Sequence, residues 1–460
     1  MSPSISPASG TAPEGNKALT VPPPALEIRG YGGTDTGRVR EHNEDAFLLD
    51  DDLRLYVVAD GVGGHNAGEI ASGLVVRYIH KEAKGLVHLT KSFDSKDLEA
   101  RRALIRAIPR LIHNASDVVF RYAFEHPECQ GMATTAVVFM ATGRNAYISH
   151  AGDSRAYLLR GDRFCQLTED HTLVQKLVKE GQLSEGEAAV HPQRNVIIRS
   201  VGITPGVECD TLYIDVQPSD LFLICSDGLT DMVQDEEIHE LALRYRDEAL
   251  VAALIQRANA RGGRDNITVL LLEVEDAEEE SGGPEKPTGE FPADGFDVLQ
   301  KTAFLRNVFM FKHCNDQERM KAARCMQVKS YDVGDKIIEW NDEGDDLYLV
   351  AEGQVEVLKD DVHLADLTVG ECFGELSFIS RYSRTATVRA TTAAKCFVMA
   401  RHDLHELLSD DAVLGNKLLW NFLENLGESV KRLSLENADL KGAAQAAARK
   451  VEEEADDTGP

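Results

Sequence analysis

No apolar run in the sequence approaches the roughly 18 residues of a membrane-spanning helix, and hydrophobic residues make up 43% of 460 positions. That favours a soluble protein over a membrane-embedded one. The eight cysteines, at 129, 165, 209, 225, 314, 325, 372 and 396, contain no C-x-x-C pair. Scattered singly, they argue against a disulfide framework and a thiolate zinc site. Basic residues are scarce, 49 against 77 acidic, for a formal charge of −28. Such a surface repels phosphate backbones and anionic lipids, which excludes nucleic acid as a partner. The opening "MSPSISPASGTAPEGNKALTVPPPALE" lacks the basic start and continuous apolar core of a secretory signal. Its Pro, Ser and Gly content reads as a disordered leader, and the cytoplasm is the expected compartment. No repeat of solenoid period is present.

What is present divides the chain. Strand and helix signals alternate from about Glu27 to Val274, a length that calls for a domain of its own. The stretch "EDAEEESGGPEKPTGEFPADGFD" follows, too acidic and too rich in Gly and Pro to support a core. As a coil of ~20 residues it would reach about 25 Å, so its neighbours could touch or part. From Phe296 a short helical pattern, "VLQKTAFLRNVFMF", precedes short apolar strands punctuated by glycines, the pattern of a small β-roll. After about Val413, leucines at three- and four-residue spacing mark an amphipathic helix. The expected divisions are a leader over 1–27, a first domain over 28–275, a linker over 276–295 and a second domain over 296–413. A helix and acidic tail over 414–460 complete the chain.

In the first domain, apolar runs meet aspartates. "LRLYVVAD" ends on Asp60, "NAYISHAGD" on Asp153 and "DLFLICSD" on Asp227, while Asp45 and Asp265 stand just before the runs "AFLL" and "NITVLLLEV". In antiparallel sheets one strand's start lies beside its neighbour's end, so both arrangements can deliver carboxylates to one edge. An Asp after a strand is commonly an Asx-turn or a helix cap; five such coincidences are far rarer. Converging carboxylates repel unless a cation lies between them, and oxygen ligands favour magnesium or manganese over zinc. Two such ions roughly 4 Å apart would activate a water for in-line attack on a phosphoryl group.

The segments "RVREHNEDAF", "VVADGVGGHNAGE", "GMATTAVV", "SHAGDSRAYLLR", "LTEDHT", "HPQRNVIIRSVG", "FLICSDGLTDMV" and "GGRDNITVLLLE" occur in that order. Together they resemble the bacterial-style metal-dependent protein phosphatases of the type 2C (PPM) family over about Ile28 to Val274. The resemblance implies an α+β fold, a four-layer α-β-β-α sandwich of two antiparallel sheets flanked by helices, that removes phosphate from serine and threonine. It implies that Asp45 and Asp60, with the carbonyl of Gly61, hold one or both of two Mn or Mg ions, that Asp227 and Asp265 complete the second, and that Asp153 contributes to a weaker third site. Arg40 falls where the family places its phosphate-binding arginine, and a guanidinium fork suits non-bridging phosphate oxygens. His65 is the candidate general acid, since histidine can supply a proton near neutral pH. Thr134 and Thr135 are expected in the core, Ala133 replaces a glycine common in the family, and Leu173 to Gln193 should be a flap over the site. The stretch around Asp60 is neither a G-x-G-x-x-G in register nor a P-loop.

The second domain carries "VGECFGELSFISRYSRTATVRA". Gly374 permits close backbone approach, and a short helix beginning at Glu375 would point the amides of Leu376 and Ser377 at an anion. Arg384 would close on a phosphate and Glu375 would accept from a ribose hydroxyl. A Glu and an Arg at this spacing are usually a surface ion pair. Preceded by "VGDKIIEWNDEGDDLYLVAEGQVEV", however, the stretch resembles the phosphate-binding cassette of cyclic-nucleotide-binding domains, over roughly Phe296 to Leu408. That resemblance implies a β-roll with flanking helices. Thr385 resembles the choice of cGMP-dependent kinases, where many cAMP sites have alanine, and either nucleotide stays open. No DNA-binding helix-turn-helix follows; in this domain class the helix after Val413 resembles the lid that closes over the base.

The expected function is hydrolysis of phosphorylated Ser/Thr proteins, in opposition to Ser/Thr kinases and regulated by cAMP or cGMP. A nucleotide-responsive scaffold with a silent phosphatase fold is the alternative.

Overall fold

The computed structural model describes residues 26–63, 67–86, 98–276, 296–360, 362–375, 377, 383–410, 413–427 and 430–431. In the first region the apolar runs Leu55–Ala59, Ala136–Thr142, Asn145–Ala151 and Leu221–Cys225 are buried throughout. Strands β1 (Leu26–Asp35), β2 (Ala46–Asp50), β3 (Leu55–Ala59) and β4 (Gly61–Val62) come first. After two helices, Ala67–Ala83 and Leu98–Glu125, the chain continues with β5 (Ala133–Thr134), β6 (Ala136–Thr142), β7 (Asn145–Ala151), β8 (Arg155–Arg160) and β9 (Arg163–Gln166). The last three are β10 (Asp210–Asp215), β11 (Leu221–Cys225) and β12 (Ile267–Asp276).

Two five-stranded antiparallel sheets result, in the orders β1-β12-β11-β8-β9 and β10-β7-β6-β3-β2. The continuous apolar character of β3, β6 and β11 follows from burial on both faces. One face of each sheet meets the other sheet: Tyr56, Phe139 and Phe222 pack edge to face between them. The outer face of one sheet is covered by the helices Ala67–Ala83 and Leu98–Glu125, and that of the other by Asp235–Arg244 and Asp247–Ala260. The four-layer arrangement follows.

Leu26 and Glu27, expected in the leader, are strand residues: Leu26 is buried and pairs with Asp276, which was assigned to the linker. A strand ten residues long needs a partner of equal length, and β12 supplies it.

The second region opens with the helices Val298–Leu305 and Asp316–Arg324, the latter begun by Asn315 and Glu318 in a reciprocal capping box. Eight strands follow: β13 (Met326–Tyr331), β14 (Lys336–Ile338), β15 (Leu347–Glu352), β16 (Val355–Lys359), β17 (Val362–Leu367), β18 (Cys372–Phe373), β19 (Thr387–Ala390) and β20 (Ala394–Met399). They form two antiparallel sheets, β13-β20-β15-β18 and β14-β19-β16-β17. The helix at 413–427 is no separate appendage, as Leu414 and Leu418 are buried in the core of this region beside Phe311, Leu347 and Phe397.

The two regions are in contact. Leu299 and Met320 pack into the inter-sheet core of the first region with Leu167, Ile214 and Val216, and the Arg324 guanidinium lies 5.0 Å from the centroid of the Tyr213 ring. Among the described residues no helix is long and apolar enough to cross a membrane.

Candidate active site

The five aspartates arrive from both sheets. Asp45 precedes β2, Asp60 follows β3 and Asp153 lies just past β7, all in one sheet, while Asp227 follows β11 and Asp265 precedes β12 in the other. They converge at one end of the sandwich, where Asp60 feels the negative charge of the other four. Burial followed by this repulsion pushes the carboxyls of Asp60 and Asp227 well above the usual carboxylate range. Burial also raises Asp153 to about 7, with Asp170 the next cause, and Asp45 to about 6 although Thr268 and Ser226 hydrogen-bond it. Asp45 and Asp60 keep a window to solvent, yet protein surrounds most of each carboxylate.

Asp45 is the most tightly held. Its Oδ2 accepts from Ser226 Oγ at 2.8 Å and Thr268 Oγ1 at 2.7 Å, both from the opposite sheet. Its Oδ1 is buried without a hydrogen-bond partner, as is Oδ1 of Asp153. Such orphaned carboxylate oxygens cost free energy unless a cation meets them. Among the described residues no three acidic or histidine side chains close on one point tightly enough to hold an ion unaided. Asp60 instead lies close enough to Asp45 and Asp227 for their charges to act on it. Hard divalent ions that keep several waters suit this donor set, with a backbone carbonyl and water completing each shell.

The backbone around Asp60 leaves no tolerance. Asp60 N–H donates to Thr135 Oγ1 at 3.0 Å, and its carbonyl accepts from Thr134 Oγ1 and from Thr135 N, both at 2.8 Å. Thr134 and Thr135 are buried as expected, but they also fix the strand end that presents Asp60. A Cβ on Gly61 would lie 2.3 Å from the carbonyl oxygen of Gly68 and 2.5 Å from that of Glu44. Only glycine fits there. His65 lies outside the described residues.

Arg40 stands at the outer edge, half exposed, with Nη2 donating to Asp265 Oδ2 at 2.6 Å. Beyond Asp153 the site opens into a cleft of about 1020 Å³. The flap expected over Leu173 to Gln193 forms part of its wall as the helices Leu173–Lys179 and Glu185–Ala189. Just past the flap, Arg194 lies 3.5 Å from Asp231, and Asn195 donates to the same carboxylate at 3.2 Å. Residues of the second region, among them Arg306, Lys312 and Lys417, line the far side.

Several residues that position the site were not singled out from the sequence. Ser226 is the residue before Asp227 in "CSDG", and Thr268 is a β12 residue whose type fits any strand. Asn266 accepts from the Glu44 amide and donates to the carbonyls of Thr36 and His42, fixing the loop that carries Asp45. His171, in "LTEDHT", accepts from Gly152 N through Nδ1 and donates its own amide to the Gly152 carbonyl, which sets the turn presenting Asp153. It stacks on His150, and the pair reaches Asp210; although burial opposes it, the His171 hydrogen bond and nearby positive charge hold the Asp210 carboxyl below its usual range. The only sequence signal for these residues was their place in motifs.

In the second region Arg384 is buried, and its guanidinium donates to two neutral carbonyls, Gly374 O at 3.3 Å and Asp346 O at 3.0 Å. It lies 5.7 Å from the Tyr348 ring centroid. Among the described residues it has no carboxylate within ion-pair distance, although Glu375 is near enough to be stabilised by its charge. A buried cation with no carboxylate partner is costly, and an anion could relieve it. Gly374, at φ +85, brings its backbone beside Arg384, where a Cβ would lie 2.7 Å from Nη1. Ser377 is buried, Thr385 is exposed next to Arg384, and Leu376 lies outside the described residues.

Because cation ligands must be ionised, divalent binding should expel protons from this cluster. The manganese affinity is expected to fall by about tenfold or more from pH 8 to pH 6, as Asp153 and Asp45 take up protons on passing about 7 and about 6. Calorimetry at pH 6 in two buffers of different ionisation enthalpy checks this, and identical heats in both would contradict it.

Comparison with known proteins adds the following. Residues 33–271 match the family model described as Protein phosphatase 2C, and residues 328–411 match the Cyclic nucleotide-binding domain. A serine/threonine phosphatase stp of Listeria innocua is 38% identical over 244 residues, covering 52% of this chain and 93% of that relative. A serine/threonine protein phosphatase PstP of Mycobacterium tuberculosis is 38% identical over 253 residues, 55% of this chain and 46% of the relative. Among solved structures, a PstP catalytic domain in complex with two manganese ions is 35% identical and covers 55% of this chain and 100% of its own, with a TM-score of 0.46.

Proposed function

The chain belongs to the protein phosphatase 2C family, and from that premise we propose that it hydrolyses phosphoserine and phosphothreonine in proteins with two manganese or magnesium ions, under control of a cyclic nucleotide. The observation that carries the catalytic reading is the cross-sheet carboxylate cluster, with the orphaned Oδ1 atoms of Asp45 and Asp153 turned inward. Asp45, Asp60 and the Gly61 carbonyl would hold one or both ions of the pair and Asp227 with Asp265 would complete the second; Asp153 belongs to a third, weaker site. Bound there, the ions supply Lewis-acid stabilisation of phosphoryl oxygens and lower the pKa of water.

The chain's own residues do the rest. Ser226 and Thr268 occupy one oxygen of Asp45 and so aim the other at the cation site. Arg40, at the mouth, can turn part of its fork from Asp265 to the non-bridging oxygens of a phosphoryl group. The flap shapes which phosphorylated segment enters. His65 is the proposed proton donor to the leaving alkoxide.

Control by nucleotide rests on the matched binding domain and on the uncompensated Arg384. The helix Asp316–Arg324 reaches both regions, since Met320 packs in the first region's core and Asp316 lines the cleft that contains Asp153 and Asp227. A nucleotide that binds two arrangements of this contact unequally would change the rate by about 5- to 150-fold.

The deciding experiment measures phosphate release from a phosphothreonine peptide by the full chain, with manganese or with chelator, across cAMP and cGMP concentrations. Release that needs manganese and shifts with one nucleotide is expected. Equal rates with and without the ion would overturn the enzyme reading, and a rate indifferent to both nucleotides would overturn the control. Arg384→Ala should weaken the calorimetric affinity for the effective nucleotide about 10- to 150-fold, the loss of a hydrogen bond to a charged group. An unchanged affinity would remove Arg384 from the phosphate seat.

A further inference from the structure

The cleft of about 1020 Å³ beside the aspartates has walls of unlike charge. On the first region's side carboxylates outnumber cationic groups, and the guanidiniums of Arg155 and Arg194 there are matched by Asp170 and Asp231. The second region contributes Arg306, Lys312, Arg319 and Lys417 and, among the described residues, a single carboxylate, Asp316. In a chain with a formal charge of −28, this wall is a local exception that does not repel anions.

Not all four cations are free to meet a ligand. Lys417 reaches both oxygens of the buried Glu318, at 3.0 and 2.9 Å, and Arg319, largely buried, donates to Asp316 at 2.9 Å and to the Phe311 carbonyl at 3.2 Å. Both serve to hold the helix Asp316–Arg324 in place. Arg306 and Lys312 differ, with side chains 58% and 64% exposed. Arg306 shares the Asp316 carboxylate with Arg319, so one negative charge serves two guanidiniums. Lys312 ends 3.7 Å from Glu424, beyond hydrogen-bond length, and His313 lies 3.8 Å from the same carboxylate. Exposed pairs of this kind contribute little, and an incoming anion can replace either partner. Arg306 also reaches the first region, where its charge acts on the Cys165 thiol of β9.

Building on the phosphatase reading, we propose that Arg306 and Lys312 form a docking surface for carboxylate side chains near the phosphorylated residue, so that the enzyme prefers acidic phosphoprotein segments. The phosphorylated residue enters among the aspartates, and the chain on one side of it runs along the cleft to the second region. A guanidinium fork and an ammonium group there suit glutamate or aspartate. A basic segment would instead be drawn to Asp231 and Asp235 on the opposite wall. The second region is thereby part of the substrate site as well as the seat of the nucleotide.

Three phosphothreonine peptides of equal length, flanked on both sides by glutamate, glutamine or lysine, test it on the full chain in manganese. The wild-type kcat/KM is expected to fall in that order, by about 3- to 30-fold from the glutamate to the glutamine peptide, the range of two exposed ion pairs. High salt should narrow the gap. In the double variant Arg306→Gln, Lys312→Gln the glutamate and glutamine peptides should become equal to within about twofold. Lys312→Gln alone, a change at an exposed side chain, should remove part of the gap, and Lys359→Gln, at the exposed turn between β16 and β17, none of it. A preference for the lysine peptide, or a glutamate preference that the double variant keeps, overturns the proposal. Equal hydrolysis of all three peptides overturns it too and leaves the phosphatase reading standing, whereas no hydrolysis of any peptide overturns both.

Discussion

Asp227→Asn is expected to lower manganese-dependent hydrolysis by about 10³-fold or more and, in chelator, to make the same protein more stable to heat than the wild type. The carboxylate sits as the first residue of the helix Asp227–Thr230, directly after Ser226, and is surrounded by Asp60, Asp153, Asp231 and Asp265. Without cations this crowding is unfavourable, and burial and repulsion keep the group protonated above its usual range. An amide fills the same volume and carries no charge, so the metal-free fold gains. With ions bound, the variant would lack the charged oxygen ligand proposed for Asp227, and several kcal/mol of transition-state stabilisation corresponds to the stated loss of rate. Peptide dephosphorylation against manganese concentration measures the first effect and calorimetric unfolding in chelator the second. A variant within tenfold of wild-type rate, or one less stable without metal, would contradict the site as described.

The second large effect lies at the other end of the sandwich. Arg160, at the end of β8, makes a two-pronged contact with Asp220, both prongs at 2.7 Å, and also donates to the Asp215 carbonyl of the opposite sheet at 2.8 Å. The second oxygen of Asp220 also accepts from Gln217 N at 2.8 Å. Asp220 is 1% exposed and Arg160 9%. Asp220→Ala leaves the guanidinium buried with one neutral partner, and breaking such a pair costs about 3–5 kcal/mol. Amide exchange along β8 and β11 should accelerate by roughly 10²- to 10³-fold. Manganese affinity should not move, because the five residues of β11 and Ser226 separate Asp220 from Asp227 by roughly 20 Å. Protection lowered less than tenfold, or a coincident loss of manganese binding, would show that the clamp is not the independent element described here.

How much of this was legible in the sequence depends on the range of the interaction. Asp60, Asp153 and Asp227 were visible because a strand announces itself by a local apolar run and its end by the first residue that breaks the run. Gly61 was visible as part of the same break. Ser226 and Thr268 were not, because their role is defined by Asp45, about 180 and 220 positions away in the chain. Thr134 and Thr135 read as ordinary buried strand residues, and their bonds to Asp60 depend on how β4 and β5 pair. The clamp of Arg160 and Asp220 left no local trace at all, since an Arg and an Asp sixty residues apart are ordinary surface residues until a strand pairing buries them.

The same division runs through the second half. Gly374, Glu375 and Arg384 lie within eleven positions, and that compactness made the anion seat readable. The orientation of Arg384 toward the carbonyls of Gly374 and Asp346 was not, because Asp346 arrives from another strand connection. The acidic linker marked where the chain divides, but composition alone left open whether the two parts touch; the packing of Leu299 and Met320 beside Leu167 and Ile214 decided it.

By itself, then, the sequence determined which segments are strands and helices, which carboxylates stand at strand ends and where a phosphate could be cradled, because periodicity and backbone preference act over a few residues. Only the tertiary structure decided that three of the aspartates come from one sheet and two from the other, that Ser226 and Thr268 leave one oxygen of Asp45 free, and that the second region leans on the first. Those outcomes are set by burial summed over distant side chains, a quantity that no local window of the sequence contains.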